Sequence, residues 1–367
     1  MSIGCTNYIN RIKLFWPMEE IEVALPDYIS VLRKERQPRF KALKAYSVDF
    51  DPTQSFDVLM EVHDKVLSRF KDGEPARRTS GGSEKHAVAT LNKSGQTLLD
   101  LKLALAGKML DSCRLCERRC GVDRTNGQKG RCGVLEPRIS SEFLHFGEEP
   151  ELVPSYTIFF SGCTFECVFC QNCDISQYPS RGEYFAPKVV ADLIARKEPS
   201  ARNVNWVGGD PTSNLEFILE VLSISATNLP QVWNSNMYLT EETMKLLDCV
   251  IDLYLTDFKY GNSNCGERLS KVKDYWEVIT RNHMMAREQA EVIIRHLVLP
   301  HHVDCCSKPA LDWISQNLGN GVRVNVMAQY RPMYQASDYP EISKSLKTAE
   351  FLEARNYAFS LGLNLVE

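Results

Sequence analysis

The sequence predicts an α/β fold in which six β/α units build a parallel sheet. From residue 156 onward, apolar strand-like runs alternate with helical patterns, an order typical of parallel sheets with right-handed crossovers. Polar and glycine-rich segments recur where these predicted strands end, so the strand ends should converge on one cleft. Six units are fewer than the eight of a closed barrel, and we therefore expect a partial (β/α)6, TIM-like barrel. The predicted strands are 156–162, 203–209, 231–237, 252–260, 291–299 and 322–329.

Three further segments flank the predicted barrel. Apolar residues at helical spacing predict a helical N-terminal extension, which is clearest at Phe56, Leu59, Val62, Val66 and Phe70. The polar, glycine-rich run Lys71–Lys85 is typical of a flexible linker. The predicted division is a helical region with linker at 1–85, a cysteine-rich metal-binding segment at 86–150, the barrel at 151–335 and a C-terminal helical segment at 336–367.

Net charge, the lack of a long apolar stretch near the start and the cysteine content limit the classes of function that fit this sequence. The chain has 367 residues and a net charge of −4, which gives no electrostatic reason to expect nucleic acid or an anionic membrane as a partner. The first residues contain no apolar stretch long enough for a signal peptide or a membrane span. Thirteen cysteines without an export signal indicate metal and redox chemistry in a reducing compartment, so we expect a cytoplasmic protein without disulfides.

The first cysteine group directly follows the strand predicted at 156–162. Cys163, Cys167 and Cys170 have the spacing C-x3-C-x2-C, and thiolates this close can converge on one soft metal ion or an iron–sulfur cluster. A cluster of four irons needs four ligands, so three cysteines leave one iron open. Zinc is the competing interpretation, because C-x2-C is also a zinc signature and Cys173 could supply a fourth ligand. The order of spacings differs from that of bacterial ferredoxins, and we interpret Cys173 as a bystander.

The second motif is Gly208-Gly209-Asp210-Pro211, at the end of the next predicted strand. Glycines allow the backbone to approach a ligand closely, and the proline fixes the turn. An isolated motif of this kind would be read as a simple strand-to-helix turn. Its position one β/α unit after the cysteines makes a ligand-binding turn the better interpretation.

Polar residues also end the following predicted strands. The third strand ends at Ser235 and Asn236. In the fourth, Asp257 and Lys259 lie two residues apart and therefore on one face of the strand, where a simple salt bridge is the alternative to a role in binding. In the fifth, Arg295 has the geometry to bind a carboxylate through two hydrogen bonds, whereas we expect His296 to be structural.

A second cysteine group lies upstream of the barrel. Cys113, Cys116, Cys120 and Cys132 follow the spacing C-x2-C-x3-C-x11-C with glycines at the bends, which suits a closed site of four thiolates. Both structural zinc and a coordinatively complete iron–sulfur cluster fit, and the absence of an implied open position favours zinc. Buried thiols without a metal are the third alternative.

The other cysteines follow no ligand spacing, and we expect them to be incidental. The pairs His301-His302 and Cys305-Cys306 could bind a metal, but a surface loop after a strand is the expected structure there. The incidental set is Cys5, Cys249, Cys265, Cys305 and Cys306.

Taken in order, these motifs resemble the radical S-adenosylmethionine (SAM) superfamily. From about Cys113 to Tyr334 the run is most similar to proteins related to pyruvate formate-lyase activating enzyme. The resemblance implies a [4Fe–4S] cluster on Cys163, Cys167 and Cys170, with SAM bound to the open iron. Electron transfer would cleave SAM reductively to a 5′-deoxyadenosyl radical that abstracts hydrogen from a substrate.

The resemblance also implies roles for the other motifs. Gly208, Gly209 and Asp210 would hold the methionyl end of SAM, although Asp210 replaces the usual glutamate and is one methylene shorter. Residues at the end of the third strand would face the ribose, and those of the fourth would lie beside SAM. The residues concerned are Ser235 and Asn236 for the third strand, and Asp257 and Lys259 for the fourth.

For function, the resemblance implies an oxidoreductase-type enzyme that activates a glycyl radical protein. Its partners would be that protein, for which the helical N-terminal region offers a docking surface, and a reductant such as flavodoxin or ferredoxin. Two alternatives stay open. One is radical modification of a small molecule or a peptide, and the other is a non-catalytic metal-binding redox protein.

Overall fold

An eight-stranded sheet runs through the structure, a computed structural model that describes residues 24–77 and 95–366. The strands lie side by side in chain order. The first pair is antiparallel and every later pair is parallel. The predicted α/β fold is thus confirmed, while closure into a partial barrel stays a prediction. The strands are β1 (Ile139–His145), β2 (Ser155–Phe160), β3 (Asn203–Gly208), β4 (Gln231–Ser235), β5 (Leu253–Asp257), β6 (Glu291–Leu297), β7 (Arg323–Met327) and β8 (Asn364–Leu365).

The two outer strands were missing from the sequence prediction. β1 lies within the segment expected to be only cysteine-rich, and it pairs with β2 along its length. β8 consists of two residues that pair with β7, so the C-terminal segment contributes to the sheet as well as forming a helix. An edge strand with mixed polarity and a two-residue strand carry too little hydrophobic pattern to be recognised from sequence.

Helices cover the sheet and connect its strands. Their bounds are α1 (Pro26–Leu32), α2 (Arg39–Ala45), α3 (Phe56–Arg77), α4 (Leu98–Asp111), α5 (Cys173–Ser176), α6 (Pro187–Lys197), α7 (Leu215–Ile224), α8 (Glu241–Leu247), α9 (Ser263–Ser270), α10 (Tyr275–Gln289), α11 (Lys308–Asn317) and α12 (Thr348–Ser360). A π-helical turn, Val303–Ser307, precedes α11. Among the described residues, no helix is both long enough and apolar enough to cross a membrane.

The helical N-terminal region shares its core with the sheet. Buried side chains of this region, such as Phe40 and Leu59, belong to the same hydrophobic cluster as Trp206 of β3 and Leu219 of α7. Helix α3 confirms the predicted helical spacing but continues to Arg77. The predicted linker at residues 71–85 is therefore wrong for its first seven residues, and residues 78–85 lie outside the described part of the chain.

Parallel pairing brings the carboxyl ends of β2 to β7 to one edge of the sheet. The register sets Phe160 opposite Gly208 and Asp257 opposite Arg295. Side chains that lie far apart in sequence therefore meet at this edge, as expected for the functional end of a β/α fold.

Candidate active site

A cavity of about 460 Å³ opens at this carboxyl edge. Its volume lies within the range of small-molecule sites in proteins. Its walls include every sequence-predicted residue of the barrel motifs except Asp210, namely Cys163, Cys167, Cys170, Gly208, Gly209, Ser235, Asn236, Asp257 and Lys259. With the other lining residues counted, seven segments of chain converge on this cavity.

Each thiol of the first cysteine group contacts a polar group that the sequence did not single out. Cys167 is buried, while Cys163 and Cys170 are half-buried against the cavity. These partners orient the sulfur atoms, as second contacts around metal ligands commonly do. The contacts are Phe165 N to Cys163 Sγ at 3.3 Å, Ser270 Oγ to Cys167 Sγ at 2.9 Å and Ser176 Oγ to Cys170 Sγ at 3.1 Å.

Burial makes the three thiols poor acids when they are considered alone. Desolvation raises the pKa of Cys167 to about 12 and raises the pKa of Cys163 and Cys170 above the ordinary value. Thiolates at this place therefore need a positive centre among them. A metal cluster coordinated by all three supplies that charge, so the donor set fits the iron–sulfur interpretation.

The two glycines at the end of β3 lie against the backbone of the cysteine loop. Gly208 has φ of +129°, and a Cβ on it would lie 2.1 Å from the carbonyl oxygen of Phe160. A Cβ on Gly209 would lie 2.1 Å from the carbonyl oxygen of Gly162, the residue before Cys163. Only glycine fits both positions, and the close approach leaves the strand end open to a ligand.

Asp210 lies behind the cavity wall, which differs from the expected contact with SAM. Its side chain is 1% exposed. Oδ2 accepts from Ser235 Oγ at 2.9 Å and from Asn236 N at 3.0 Å, and Oδ1 accepts from Thr212 N at 3.0 Å. Burial raises the pKa of this carboxyl, and the hydrogen bonds oppose that rise. The carboxylate thus ties the end of β3 to the end of β4.

Asn236 connects the end of β4 to the cysteine loop. Its Nδ2 donates to Thr164 Oγ1 at 2.9 Å and lies 3.6 Å from Cys163 Sγ. Thr164 follows Cys163 directly in the chain. The position of the first cysteine is therefore coupled, through this amide, to the strand end that Asp210 organises.

Asp257 and Lys259 form a salt bridge, which was the alternative to a role in binding, and both also line the cavity. Lys259 Nζ lies 2.6 Å from Asp257 Oδ2. Desolvation acts to lower the pKa of Lys259, but Asp257 and the nearby thiols outweigh it and leave the pKa raised. The ammonium therefore keeps a positive charge beside Cys167, where an anionic cluster would be attracted to it.

Arg295 is engaged by carboxylates of the chain itself. Its Nε lies 2.8 Å from Glu149 Oε1, and its Nη2 contacts both Glu148 Oε2 and Glu149 Oε2. Burial alone would raise the pKa of Glu148, but the positive charge of Arg295 outweighs burial and lowers this pKa to about 2. The carboxylates that Arg295 binds are thus glutamate side chains of the same chain. His296 is buried between Phe258 O and Ser307 Oγ, which fits its predicted structural role.

The second cysteine group lies next to the first. Cys116 is buried, and desolvation together with the nearby Cys132, Cys113 and Cys120 raises its pKa well above the ordinary value. Cys132 and Cys163 line one cleft, so the two cysteine groups share a wall. The predicted quartet is brought into one neighbourhood by loops after α4.

The spacing of the sulfur atoms bears on which metal this second group would hold. Among the residues that the structure describes, the one group of at least three candidate ligands with ligand atoms within 4.8 Å of one another is Cys265, His302 and Cys305. Both cysteine groups described above are more widely spread. Tetrahedral zinc brings its sulfur ligands to roughly 3.8 Å. The separations at Cys113–Cys132 are wider than those of a formed zinc site, and the identity of the metal there stays a prediction.

A family model described as the radical SAM superfamily matches residues 157–314. Among curated proteins, the uncharacterized protein MJ0674 of Methanocaldococcus jannaschii is 45% identical over 345 residues, which cover 92% of this chain and 98% of that protein. The uncharacterized protein MJ0808 of the same organism is 24% identical over 281 residues, 69% of this chain and 79% of its own length.

Two solved structures show a weaker likeness. SuiB of Streptococcus suis bound to precursor peptide SuiA aligns with a TM-score of 0.46 and 15% identity, over 87% of this chain and 66% of its own. Methylornithine synthase PylB aligns with a TM-score of 0.39 and 14% identity, over 75% of this chain and 77% of its own. This chain spans slightly less than two thirds of the length of SuiB. At these values neither structure bears on reaction or substrate.

Proposed function

This chain belongs to the radical SAM superfamily, and we propose that the cavity at the carboxyl edge of its sheet is the site where SAM is reductively cleaved. The family implies a [4Fe–4S] cluster and SAM as cofactors. Together, when bound, they supply a 5′-deoxyadenosyl radical that can abstract hydrogen. The observation that carries the proposal is the convergence of the three cysteines and the other motif residues on one cavity.

In this proposal Cys163, Cys167 and Cys170 ligate the cluster. Ser270 and Ser176 orient the second and third sulfur atoms through their hydroxyl contacts. Their hydrogen bonds would also stabilise charge on the sulfurs, which is one way a protein tunes a cluster's potential.

The strand ends would bind SAM beside the cluster. Backbone groups of Gly208 and Gly209 are available to the methionyl end, because neither residue has a side chain in the way. Ser235 and Asn236 present polar groups from the neighbouring strand end. Asp210 would act through its hydrogen bonds to these two residues rather than by touching SAM.

Aromatic side chains would keep water from the reacting atoms. Phe165 and Phe169, between the cluster cysteines, are 1% and 4% exposed and line the cavity. Phe165 packs edge-on against Tyr238, and Phe169 against Tyr260 and Tyr330. A rigid apolar wall limits side reactions of a radical with solvent.

For the finer reaction, we propose hydrogen abstraction from a glycine of a partner protein, with a flavodoxin or ferredoxin as reductant. The support is the run of motifs between Cys113 and Tyr334 and their likeness to pyruvate formate-lyase activating enzyme. The alternative reaction, modification of a small molecule or peptide, would use the same cavity. The two reactions differ in the molecule that donates the hydrogen atom, so identifying that donor distinguishes them.

The test is anaerobic cleavage of SAM. Protein reconstituted with iron and sulfide, reduced with dithionite and mixed with SAM should release 5′-deoxyadenosine. A variant with Cys163→Ala, Cys167→Ala and Cys170→Ala should release none, whereas Cys173→Ala, next to the same loop, should behave like wild type. If the reduced, fully loaded cluster gives the same electron paramagnetic resonance spectrum with and without SAM, the proposed SAM-cleaving activity is contradicted. Mixing with a glycyl radical protein should give a glycyl doublet in paramagnetic resonance.

A further inference from the structure

Four metal-ligating side chains gather where α9 meets the loop after β6. The sulfur atoms of Cys265 and Cys305 and a ring nitrogen of His302 all lie within 4.8 Å of one another. Cys306 Sγ lies 3.8 Å from Cys305 Sγ. We propose that these four residues form a zinc site that is separate from both cysteine groups described above.

The donor set selects zinc among the common ions. Three thiols and one imidazole match the ligands of structural zinc, and the absence of a carboxylate disfavours calcium and magnesium. With Zn–S of about 2.3 Å and Zn–N of about 2.0 Å, tetrahedral ligand atoms lie roughly 3.5–3.8 Å apart. The separation of the two vicinal sulfurs already has this value, and the ligand atoms of Cys265, His302 and Cys305 lie within 4.8 Å of one another. Cys306 lies outside that group of three, so its sulfur would move toward the ion to complete the site.

Hydrogen bonds outside the ligand set hold the ligands in place. His302 Nδ1 lies 2.8 Å from the carbonyl oxygen of Pro300. Because a carbonyl only accepts, Nδ1 carries the proton and Nε2 keeps a lone pair for a metal, an arrangement common among zinc-bound histidines. Asn262 joins the two ligand-bearing segments, since its Oδ1 accepts from Cys265 N and its Nδ2 donates to Cys305 O, both at 2.8 Å.

The backbone here is not that of the surface loop that we expected from the sequence. His302 is 5% exposed and Cys306 is 1% exposed. The vicinal cysteines lie in the π-helical turn Val303–Ser307, and His301 before it has φ of +59°. Both conformations are uncommon for such residues and concentrate at functional sites. The geometry presents two adjacent cysteines and a histidine toward α9, which a regular helix or strand would not do.

A metal bound here would support the cavity from outside. It would cross-link the segment after β5 to the segment after β6. Helix α9 starts near Cys265 and ends at Ser270, whose hydroxyl contacts Cys167. Four protein ligands leave no open position, so the site is structural. This inference does not depend on the reaction that takes place in the cavity.

The first experiment measures zinc per chain in the full-length protein purified anaerobically. His302→Ala and Cys265→Ser should each contain one equivalent of zinc less than wild type, with iron unchanged. The matched control is His301→Ala, which alters an exposed neighbour and should keep the zinc. His302→Cys should also keep it, because a fourth thiolate replaces the imidazole. Equal zinc in wild type, His302→Ala and Cys265→Ser would overturn the proposal, as would iron at this site.

The second experiment uses only the wild-type chain, so it does not depend on how the variants fold. Cys305 is exposed and should alkylate readily as a free thiol. We expect mass spectrometry to show it protected until a zinc chelator is added. Rapid alkylation before the chelator would contradict the site. Protection that a reductant removes and a chelator does not would show a disulfide instead, which also overturns the proposal.

Discussion

Replacing Gly209 with alanine should displace the cysteine loop. The added Cβ would lie 2.1 Å from Gly162 O and 3.0 Å from Ser176 Cα. Both are backbone atoms, so no side-chain rotation relieves the contact. An ordinary separation requires the Gly162 carbonyl to retreat by about 1 Å, and Cys163 follows it directly. A misplacement of this size at a catalytic centre costs roughly 100-fold in rate, and overpacking costs about 1–3 kcal/mol in the free energy of unfolding.

The assay is the rate of 5′-deoxyadenosine release per loaded cluster, measured beside urea unfolding of the same samples. Gly107→Ala is the matched control, because its Cβ meets nothing within 4 Å in the middle of α4. There the substitution should stabilise the protein by about 0.5–1 kcal/mol and leave the rate unchanged. If Gly209→Ala has the same free energy of unfolding and the same rate as wild type, the close approach of β3 to the cysteine loop does not position the cysteines.

The other predictions concern Asp210, the ion pair of Glu148 and the second cysteine group. Asp210→Asn should lower the free energy of unfolding by about 2–4 kcal/mol, since an amide cannot satisfy donors at both oxygens, and SAM should bind more weakly in equilibrium dialysis. Glu148 has its pKa lowered to about 2, so its contribution, on the order of 3 kcal/mol, is complete above its ordinary pKa near 4.5 and disappears as the pH falls toward 2. Acid unfolding of Glu148→Gln should therefore depend less steeply on pH, and identical curves would refute the ion pair. Metal analysis should find a metal centre that Cys116→Ser removes and Cys249→Ser retains, and the acid-labile sulfide lost with it distinguishes an iron–sulfur cluster from zinc.

The sequence was informative where the chemistry is local. The cysteines at 163, 167 and 170 are recognisable because their ligand spacing lies within eight residues, and Gly208 because its turn has a fixed composition. The positions of the six central strands were predictable for the same reason, since each carries its own apolar run.

Contacts between residues far apart in the sequence could not be predicted, because no local pattern marks them. Ser270 reaches Cys167 across 103 positions, and Glu149 reaches Arg295 across 146. A serine that ends a helix looks like any other serine, and the glutamates follow an edge strand that the pattern did not reveal. The hydrogen bonds of Asp210 were equally invisible in the sequence: Oδ2 accepts from Ser235 and Asn236 at the end of β4, and Oδ1 accepts from Thr212 in the turn that follows Asp210 itself.

The chain order of the strands has a consequence for biosynthesis. Because β1 to β8 lie side by side in the order in which they are made, each new strand can add to the edge left by the one before it. The first cysteine group is translated well before Lys259 and Gln329, which complete the cavity wall. The cysteine ligands are therefore synthesised before the residues that form the far wall of the cavity. Truncation after β5 should yield a nascent chain that carries the ligands but lacks the far wall.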